Sequence, residues 1–259
     1  RGRKDKKVSN EDWQSPTDPD SRIAKMKDGR THLAYKAEHA VDLETEAIVA
    51  AEIHPANQGD TTTLSKTMQA AEVHLGISGA TAPVAEVVAD KGYHDVSLLA
   101  ECVAVGVRTY IPERKQKTRR WVDKPASQQA AFRGNRRRTR SKRGRRLSRW
   151  RSERCERSFA HVCETGAGRR AWVRGIEEVQ KLYSLRCAAF NLGLLLRKVF
   201  GMVKPRGAKA LLVLFAIWAD MTYGIARLVQ ALLLLVTSDG ICHGRSYRRP
   251  QSKVIAIQS

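Results

Sequence analysis

Two carboxylates in this sequence stand where they could hold a divalent cation. Asp90 directly follows the apolar run 84–89, whose length and bounding proline and glycine are typical of a buried strand. Glu156 lies in the segment 150–160, which is compatible with a helix. Sites of open α/β sheets lie at strand ends of this kind, and two ions held by carboxylates stabilise the charge that develops during phosphodiester cleavage. Asp90 and Glu156 are therefore the natural candidate pair of catalytic and metal-binding residues.

Each carboxylate also has a purely structural interpretation. Asp is common at helix N-caps and in turns, so Asp90 could serve there instead. Glu156 could form a solvated salt bridge with a neighbouring Arg of its own helix. Glu153 lies on the same segment and competes with Glu156 as an acidic ligand. The residues alone leave these alternatives open.

The second feature with chemical consequences is a dense run of positive charge. The stretch 114–154 holds 18 Lys and Arg against two acidic residues, and the whole chain has a net charge of +21. Such density favours a phosphate backbone as the partner, bound without reading its sequence, over a membrane surface. Trp121, Phe132 and Trp150 lie among the basic residues and could stack on bases or anchor the stretch to the core. The predicted DNA-binding residues are Arg136, Arg137, Arg138, Arg140, Lys142, Arg143, Arg145 and Arg146.

Composition excludes several other classes of protein. With 259 residues and 42% hydrophobic content, the chain can bury a core. Its five Cys form no Cys-x-x-Cys pair, which argues against a zinc site and a disulfide framework and favours a reducing cytoplasm. The apolar segment 210–236 is interrupted by Asp220 and Arg227, so it predicts buried or amphipathic helices rather than a membrane span. We expect no membrane partner.

The elements that must position the two carboxylates follow from the periodicity of apolar residues. Residues 31–112 predict an α/β order of strand, strand, helix, strand, helix, strand, in which the first two strands form an antiparallel hairpin. The strands are predicted at 31–41, 47–53, 84–89 and 107–111, and the helices at 60–75, 96–105, 150–160 and 176–200.

Shifts in composition divide the chain into segments. The basic stretch has too few apolar residues to offset the entropy of ordering it, so we expect it to be disordered unless DNA orders it. The predicted organisation is a polar lead-in at 1–30, an α/β core at 31–112, a basic insert or linker at 113–149, a helical segment completing the catalytic domain at 150–205, and C-terminal helices with a tail at 206–259.

Five short motifs occur in order along the chain. They are Asp18-Pro19-Asp20-Ser21-Arg22, Lys36-Ala37-Glu38-His39-Ala40-Val41-Asp42, Pro55-Ala56-Asn57-Gln58-Gly59-Asp60, Ala89-Asp90-Lys91-Gly92-Tyr93 and Glu156-Arg157-Ser158-Phe159-Ala160-His161. As an ordered set they resemble the DDE transposases of the IS4/IS5 or IS1182 type of bacterial insertion sequence. The resemblance covers residues 16–205.

The resemblance implies an RNase H-like mixed sheet with flanking helices, followed by a helical C-terminal region. It implies DNA transposition, in which Mg²⁺ or Mn²⁺ held by two Asp and one Glu supports strand cleavage and transfer. By the resemblance, Asp90 matches the second Asp of that triad and Glu156 matches the Glu. The implied partners are element and target DNA and further copies of the chain on that DNA, in the bacterial cytoplasm with the nucleoid.

The chain departs from the family pattern at two places. The family's first catalytic Asp lies on the first strand, upstream of the hairpin, and this sequence starts at Arg1 without it. We therefore expect the C-terminal portion of a transposase whose first strand is missing, with unpaired neighbouring strands and no activity by itself. The family's Tyr-x2-Arg-x3-Glu-x6-Lys spacing is also unmet, because Arg149, Ser152 and Cys163 hold its other positions. The alternative function is a non-catalytic nucleic-acid-binding protein or a repressor of transposition.

Overall fold

The computed structural model describes residues 14–25, 29–114, 121–201, 217–225, 227 and 253–258. The strands are β1 (Arg22–Lys25), β2 (Thr31–Asp42), β3 (Ile48–Pro55), β4 (Val84–Val88), β5 (Arg108–Tyr110) and β6 (Lys253–Gln258). The helices are α1 (Asp60–Ile77), α2 (Val96–Ala104), α3 (Ala126–Arg140), α4 (Lys142–Trp150), α5 (Arg157–Ala160) and α6 (Ile176–Phe200). A 3₁₀ turn spans Lys91–Tyr93, and π-helical segments at Arg151–Glu156 and His161–Thr165 flank α5.

The chain divides into two compact units, residues 1–194 together with 250–259, and residues 195–249. The first unit contains the sheet. Of the second, the structure describes the last residues of α6 and a helix over 217–225. No helix within the described residues is long and apolar enough to cross a membrane, and most of the apolar segment 210–236 lies outside them.

A mixed sheet forms the centre of the first unit. Its strands run in the order β3-β2-β6-β4-β5, and β1 pairs with the start of β2. The strand β2 is antiparallel to β3 and β6, whereas β4 is parallel to β6 and β5. The predicted hairpin, the α/β order over residues 31–112 and the long helix α6 are confirmed. Part of the expected polar lead-in forms a strand, since β1 lies within it.

The strand β6 fills the central position of the sheet. Its backbone pairs with β2 on one side and with β4 on the other, and Ile255, Ala256 and Ile257 are fully buried. The prediction that this position is empty and leaves its neighbours unpaired is wrong. A short run of β-branched and small apolar residues satisfies the N–H and C=O groups that both neighbours would otherwise expose.

Helices cover both faces of the sheet. On one face, Leu64 of α1 and Phe132 of α3 share a core with Ile257 of β6. On the other face, Tyr183 of α6 packs in a second core with Ala256. Successive side chains of a strand point to opposite faces, so β6 contributes to both cores. This arrangement places the ends of β4 and β6 between two helical layers.

The basic stretch is folded as α3 and α4. Phe132 is buried and packs edge-to-face against Trp121, with ring centroids 5.0 Å apart. The Asn135 amide binds both the N–H (3.0 Å) and the C=O (2.8 Å) of Ile111, at the end of β5. Burying a side chain the size of Phe contributes about 1.5–3 kcal/mol, so Phe132 and its neighbours help to dock this polar helix on the core. The prediction of a disordered stretch is wrong over these helices, and the predicted anchoring role of Trp121 and Phe132 is confirmed.

Candidate active site and basic surface

Asp90 lies at the end of the sheet where β4 and β6 finish side by side. The two strands are parallel, with Val88 beside Ala256, so Asp90 and Gln258 each stand two residues beyond a paired position. Gln258 is also the partner of His39 on β2. A carboxylate and an amide therefore occupy the carboxyl ends of two adjacent parallel strands, which is where sites of α/β sheets lie. The sequence predicted the strand-end position of Asp90 and missed Gln258.

Capping does not account for Asp90. It precedes the 3₁₀ turn at 91–93, but its side chain makes no capping hydrogen bond. The N-cap of α2 is Asp95, whose carboxylate accepts hydrogen bonds from the N–H groups of Ser97 (2.8 Å) and Leu98 (3.2 Å). Asp90 therefore occupies the N-cap position of the 3₁₀ turn, as the turn interpretation predicts, but its side chain caps neither that turn nor α2. Its partly buried side chain remains available at the sheet end for another role.

Two charged side chains fix the turn that follows Asp90. Arg114 donates from Nε to the carbonyl oxygen of Lys91 (3.1 Å) and from Nη2 to that of Gly92. The Asp60 carboxylate lies so close to Gly92 that a Cβ at that position would overlap its Oδ2 atom. Lys36 holds Asp60 in place, with 2.7 Å between Nζ and Oδ1. The backbone direction at Asp90 is thus set by residues from β2, α1 and the segment after β5.

A buried carboxylate lies beside this turn, and the sequence reasoning did not single it out. Glu38 is fully buried, and its Oε2 accepts a hydrogen bond from the Thr63 hydroxyl (2.6 Å). Lys36 Nζ lies 3.5 Å from the same oxygen and donates to the Thr63 hydroxyl at 3.0 Å. The signal in the sequence was an acidic residue between Ala37 and His39 in the predicted hairpin strand, followed by Thr at the start of the next helix.

Gly92→Ala is expected to destabilise the protein, because the added Cβ would collide with the Asp60 carboxylate. Overpacking of this kind costs about 1–3 kcal/mol of unfolding free energy, measurable by urea denaturation. Gly76→Ala is the matched control, because Gly76 lies in α1 and no atom stands within 4 Å of the place that an added Cβ would take. Ala should be neutral or stabilising there by up to about 1 kcal/mol. Equal stability changes in the two variants would contradict the close approach.

Glu156 ends a π-helical segment and is tied to β6 through an arginine. Arg151 donates from Nη2 to Glu156 Oε1 at 2.7 Å and from Nη1 to Gln258 Oε1 at 2.8 Å. The Ser152 hydroxyl also bonds to Glu156 Oε1, at 3.2 Å. The Glu156 side chain is 47% exposed, whereas that of Arg151 is 11% exposed. The structure thus brings Glu156 into contact with the group that holds the end of β6, while Glu153 is exposed on the same segment.

A buried histidine, which the sequence analysis left unassigned, ties β2 to the helices at this end of the sheet. The Tyr183 hydroxyl lies 3.2 Å from His39 Nδ1, and the Ser158 hydroxyl lies 3.2 Å from Nε2. The Ser158 hydroxyl donates to the Cys155 carbonyl oxygen at 2.9 Å, so it can accept the Nε2 proton. Burial lowers the pKa of His39 from 6.5 to about 4. His39 is therefore neutral at pH 7 and structural.

The eight predicted DNA-binding residues fall into two groups. Three of them form hydrogen bonds or ion pairs within the chain, and Arg146 stacks over the Trp150 ring, with 5.3 Å between its Cζ atom and the ring centroid. Arg136 forms a bidentate pair with Glu113 (2.6 Å for both bonds), and Arg138 donates to the backbone oxygen of Thr109 at 3.0 Å. Arg143 pairs with the buried Glu86 carboxylate. These contacts fasten α3 and α4 to the sheet and reduce the charge that the three residues can offer to a ligand.

The other predicted residues remain on the surface, and the structure adds one more. Arg137, Arg140, Lys142, Arg145 and Arg146 are exposed. Arg133, which the sequence analysis did not include, is exposed one turn before Arg137. We define the basic face as Arg133, Arg137 and Arg140, which line one shallow groove on α3 together with Arg136 and Ser141. Such a groove suits an extended anion.

A comparison with protein families assigns the chain. The sequence pattern of the family described as Transposase DDE domain matches residues 7–192. The chain belongs to the DDE transposase family. Neither the curated proteins nor the solved structures contain a match to it. The α/β sheet is compatible with the RNase H-like transposase domain, and membership supports a function in DNA transposition with DNA as a partner.

The donor set at this transposase site is a poor fit to a pair of divalent metal ions. Transposase domains of this family generally use such ions, whose hard charge favours several carboxylate oxygens. Across the ranges that the structure describes, no group of three His, Cys, Asp or Glu side chains is arranged to hold a metal. Asp90 and Glu156 supply two carboxylates, Gln258 supplies a neutral amide, and the Arg151 guanidinium bonds to two of these three side chains.

Proposed function

We propose that this chain is the C-terminal portion of a DDE transposase of the IS4/IS5 or IS1182 type, and that it binds insertion-sequence ends and target DNA. The observation that carries the proposal is the basic face on α3, within a transposase domain whose chain has a net charge of +21. Arg133, Arg137 and Arg140 recur at helical spacing, so their guanidinium groups can follow consecutive phosphates. Lys142, Arg145 and Arg146 of α4 would extend the contact.

Catalysis is proposed only for a full-length form of the enzyme. There, Asp90 and Glu156 would serve as two of the three carboxylates that hold Mg²⁺ or Mn²⁺ for strand cleavage and transfer, which requires that Glu156 be released from the Arg151 pair found in this chain. This chain by itself is proposed to be inactive, because Gln258 offers an amide where a third carboxylate could stand. The protein would act as a homo-oligomer assembled on DNA, in the bacterial cytoplasm with the nucleoid.

A second candidate is a non-catalytic nucleic-acid-binding protein that represses transposition by occupying element ends. The observation that favours it is the pairing of Glu156 and Gln258 with Arg151, which leaves the site without a three-carboxylate set. An end-cleavage assay in Mg²⁺ on the full-length form separates the two candidates, because this chain alone is expected to be inactive under both. Cleavage that is lost in Asp90→Ala would support the enzyme. DNA binding that survives both chelation and Asp90→Ala, without cleavage, would support the repressor.

Replacing Arg133, Arg137 and Arg140 together with Gln is expected to weaken binding to duplex DNA by at least about tenfold at moderate salt. Each lost phosphate contact should also lower the slope of log affinity against log salt by about 0.9. Fluorescence anisotropy with a labelled duplex, titrated at several salt concentrations in the presence of a chelator, measures both quantities.

The matched control removes the same charge elsewhere. Arg169, Arg170 and Arg174 are exposed residues of the segment between His161–Thr165 and α6, and their triple Gln variant also lowers the net charge by three. It should keep most of the affinity and of the salt slope. Equal losses in the two triple variants would mean that net charge, rather than the basic face, drives binding, and would contradict the proposed site.

A further inference from the structure

We propose that the Arg151 guanidinium is the resident cation of the site between Glu156 and Gln258, and that it excludes a divalent metal ion from these two side chains. One guanidinium bonds to both of them through separate nitrogens, Nη2 to Glu156 Oε1 at 2.7 Å and Nη1 to Gln258 Oε1 at 2.8 Å. The guanidinium therefore bridges the two side chains, with one charge-assisted bond to the carboxylate and one bond to the amide oxygen.

Because Arg151 is largely buried, its guanidinium must be paired with other side chains. Its side chain is only 11% exposed, so its charge needs a partner that compensates for lost hydration. Glu156 provides that charge, and Gln258 provides a second acceptor at the end of a fully buried strand. Removing either acceptor would leave a largely buried cation with fewer bonds.

A metal ion cannot share these oxygens with the guanidinium. Mg²⁺ binds its oxygen ligands at about 2.0–2.1 Å, so an ion bound to both Glu156 Oε1 and Gln258 Oε1 would occupy the space of the Arg151 nitrogens. Its charge would also repel the guanidinium at short range. With Gln258 neutral, the proposed set contains the carboxylates of Glu156 and the strand-end Asp90, too few to displace Arg151. The negative charge of Glu156 is therefore neutralised by Arg151 of the same chain.

The linkage also has a structural consequence. Arg151 and Glu156 lie at opposite ends of one π-helical segment, and the bond to Gln258 fastens that segment to the last residue of β6. The guanidinium thus acts as a cross-link between the C-terminal strand and the helix that carries Glu156.

The test measures the binding of Mn²⁺ to the full chain without DNA. The electron paramagnetic resonance signal of free Mn²⁺ reports how much of the ion remains unbound. The native chain should bind no Mn²⁺ at the site, whereas Arg151→Gln with Gln258→Asp should bind it at least about tenfold more tightly, because two carboxylates become three and the competing cation is gone. Adding Asp90→Asn should reverse the gain. The control is Arg149→Gln with Gln258→Asp, which makes the same change in charge at an exposed Arg and keeps Arg151.

Two outcomes would overturn the proposal. One is a folded Arg151→Gln, Gln258→Asp variant that binds Mn²⁺ no more tightly than the control. The other uses single variants: a Tm of the native chain that rises with Mn²⁺ and no longer does so in Glu156→Gln. An unchanged native Tm supports it. This proposal rests on the proposed transposase function. DNA affinity is measured separately, in the presence of a chelator, so a failure of DNA binding and a failure of metal exclusion give different results.

Discussion

Ile257→Ala is expected to lower the free energy of unfolding by about 2–5 kcal/mol, a large fraction of the 5–15 kcal/mol typical of a domain. Ile257 is fully buried in the central strand of the sheet, where it packs in the core beneath α1 and α3. Truncating it removes apolar contacts and leaves a cavity that neighbours in a sheet cannot easily fill. Urea denaturation followed by circular dichroism measures the loss.

Ile77→Ala provides the control for that substitution. Ile77 is the last residue of α1 and is 80% exposed, so the same truncation should change stability by no more than about 0.5 kcal/mol. If Ile257→Ala behaved like Ile77→Ala, β6 would not be the central strand. The position of Gln258 beside Asp90 would then also lose its support.

Acidification from pH 6.5 to pH 4 is expected to remove up to about 3 kcal/mol of stability through His39 alone, since one pKa unit corresponds to about 1.4 kcal/mol. Burial lowers the pKa of His39 from 6.5 to about 4 in the folded state. Above pH 6.5 the imidazole is neutral in both states and this contribution is complete. Between pH 6.5 and 4 the unfolded chain binds a proton that the folded chain does not, so the folded state becomes less stable. Urea denaturation at a series of pH values measures the effect.

His39→Gln should flatten this pH dependence while lowering stability at pH 7, because the bonds to Tyr183 and Ser158 are disturbed. Some dependence should remain, since burial also lowers the pKa of His54. His32→Gln is the control, because His32 is exposed and its substitution should leave the pH profile of the native chain unchanged. A His39→Gln profile as steep as the native one would contradict the assignment of a buried neutral His39.

Local sequence patterns predicted the elements whose contacting residues lie near each other in the sequence. The hairpin of β2 and β3 follows from two alternating segments separated by a turn, and α6 follows from a long run with helical spacing. Asp90 was placed at a strand end because the apolar run before it has strand length. These signals lie within windows of a few residues, so a single sequence contains them.

The basic stretch shows why composition can mislead. Its average polarity predicted disorder, yet Phe132, Asn135 and Leu147 are positioned to fill the core and to satisfy the end of β5. An average over the stretch conceals a few residues at the correct spacing. The sequence also did not show which arginines remain on the surface. The partners of Arg138 and Arg143 lie on β5 and β4, far away in the sequence.

The sequence by itself determined the charge of this protein, its strand-end Asp90 and the ordered motifs that resemble a transposase, because each is carried by residue types over short distances. Only the tertiary structure decided that β6 occupies the centre of the sheet, that Gln258 stands beside Asp90, and that Arg151 joins Gln258 to Glu156. Pairing between distant strands depends on which backbone hydrogen bonds remain unsatisfied and which faces remain uncovered once the other elements have formed. Local periodicity carries information on neither the unsatisfied hydrogen bonds nor the uncovered faces. The residues that make up the site could therefore be identified only in the folded chain.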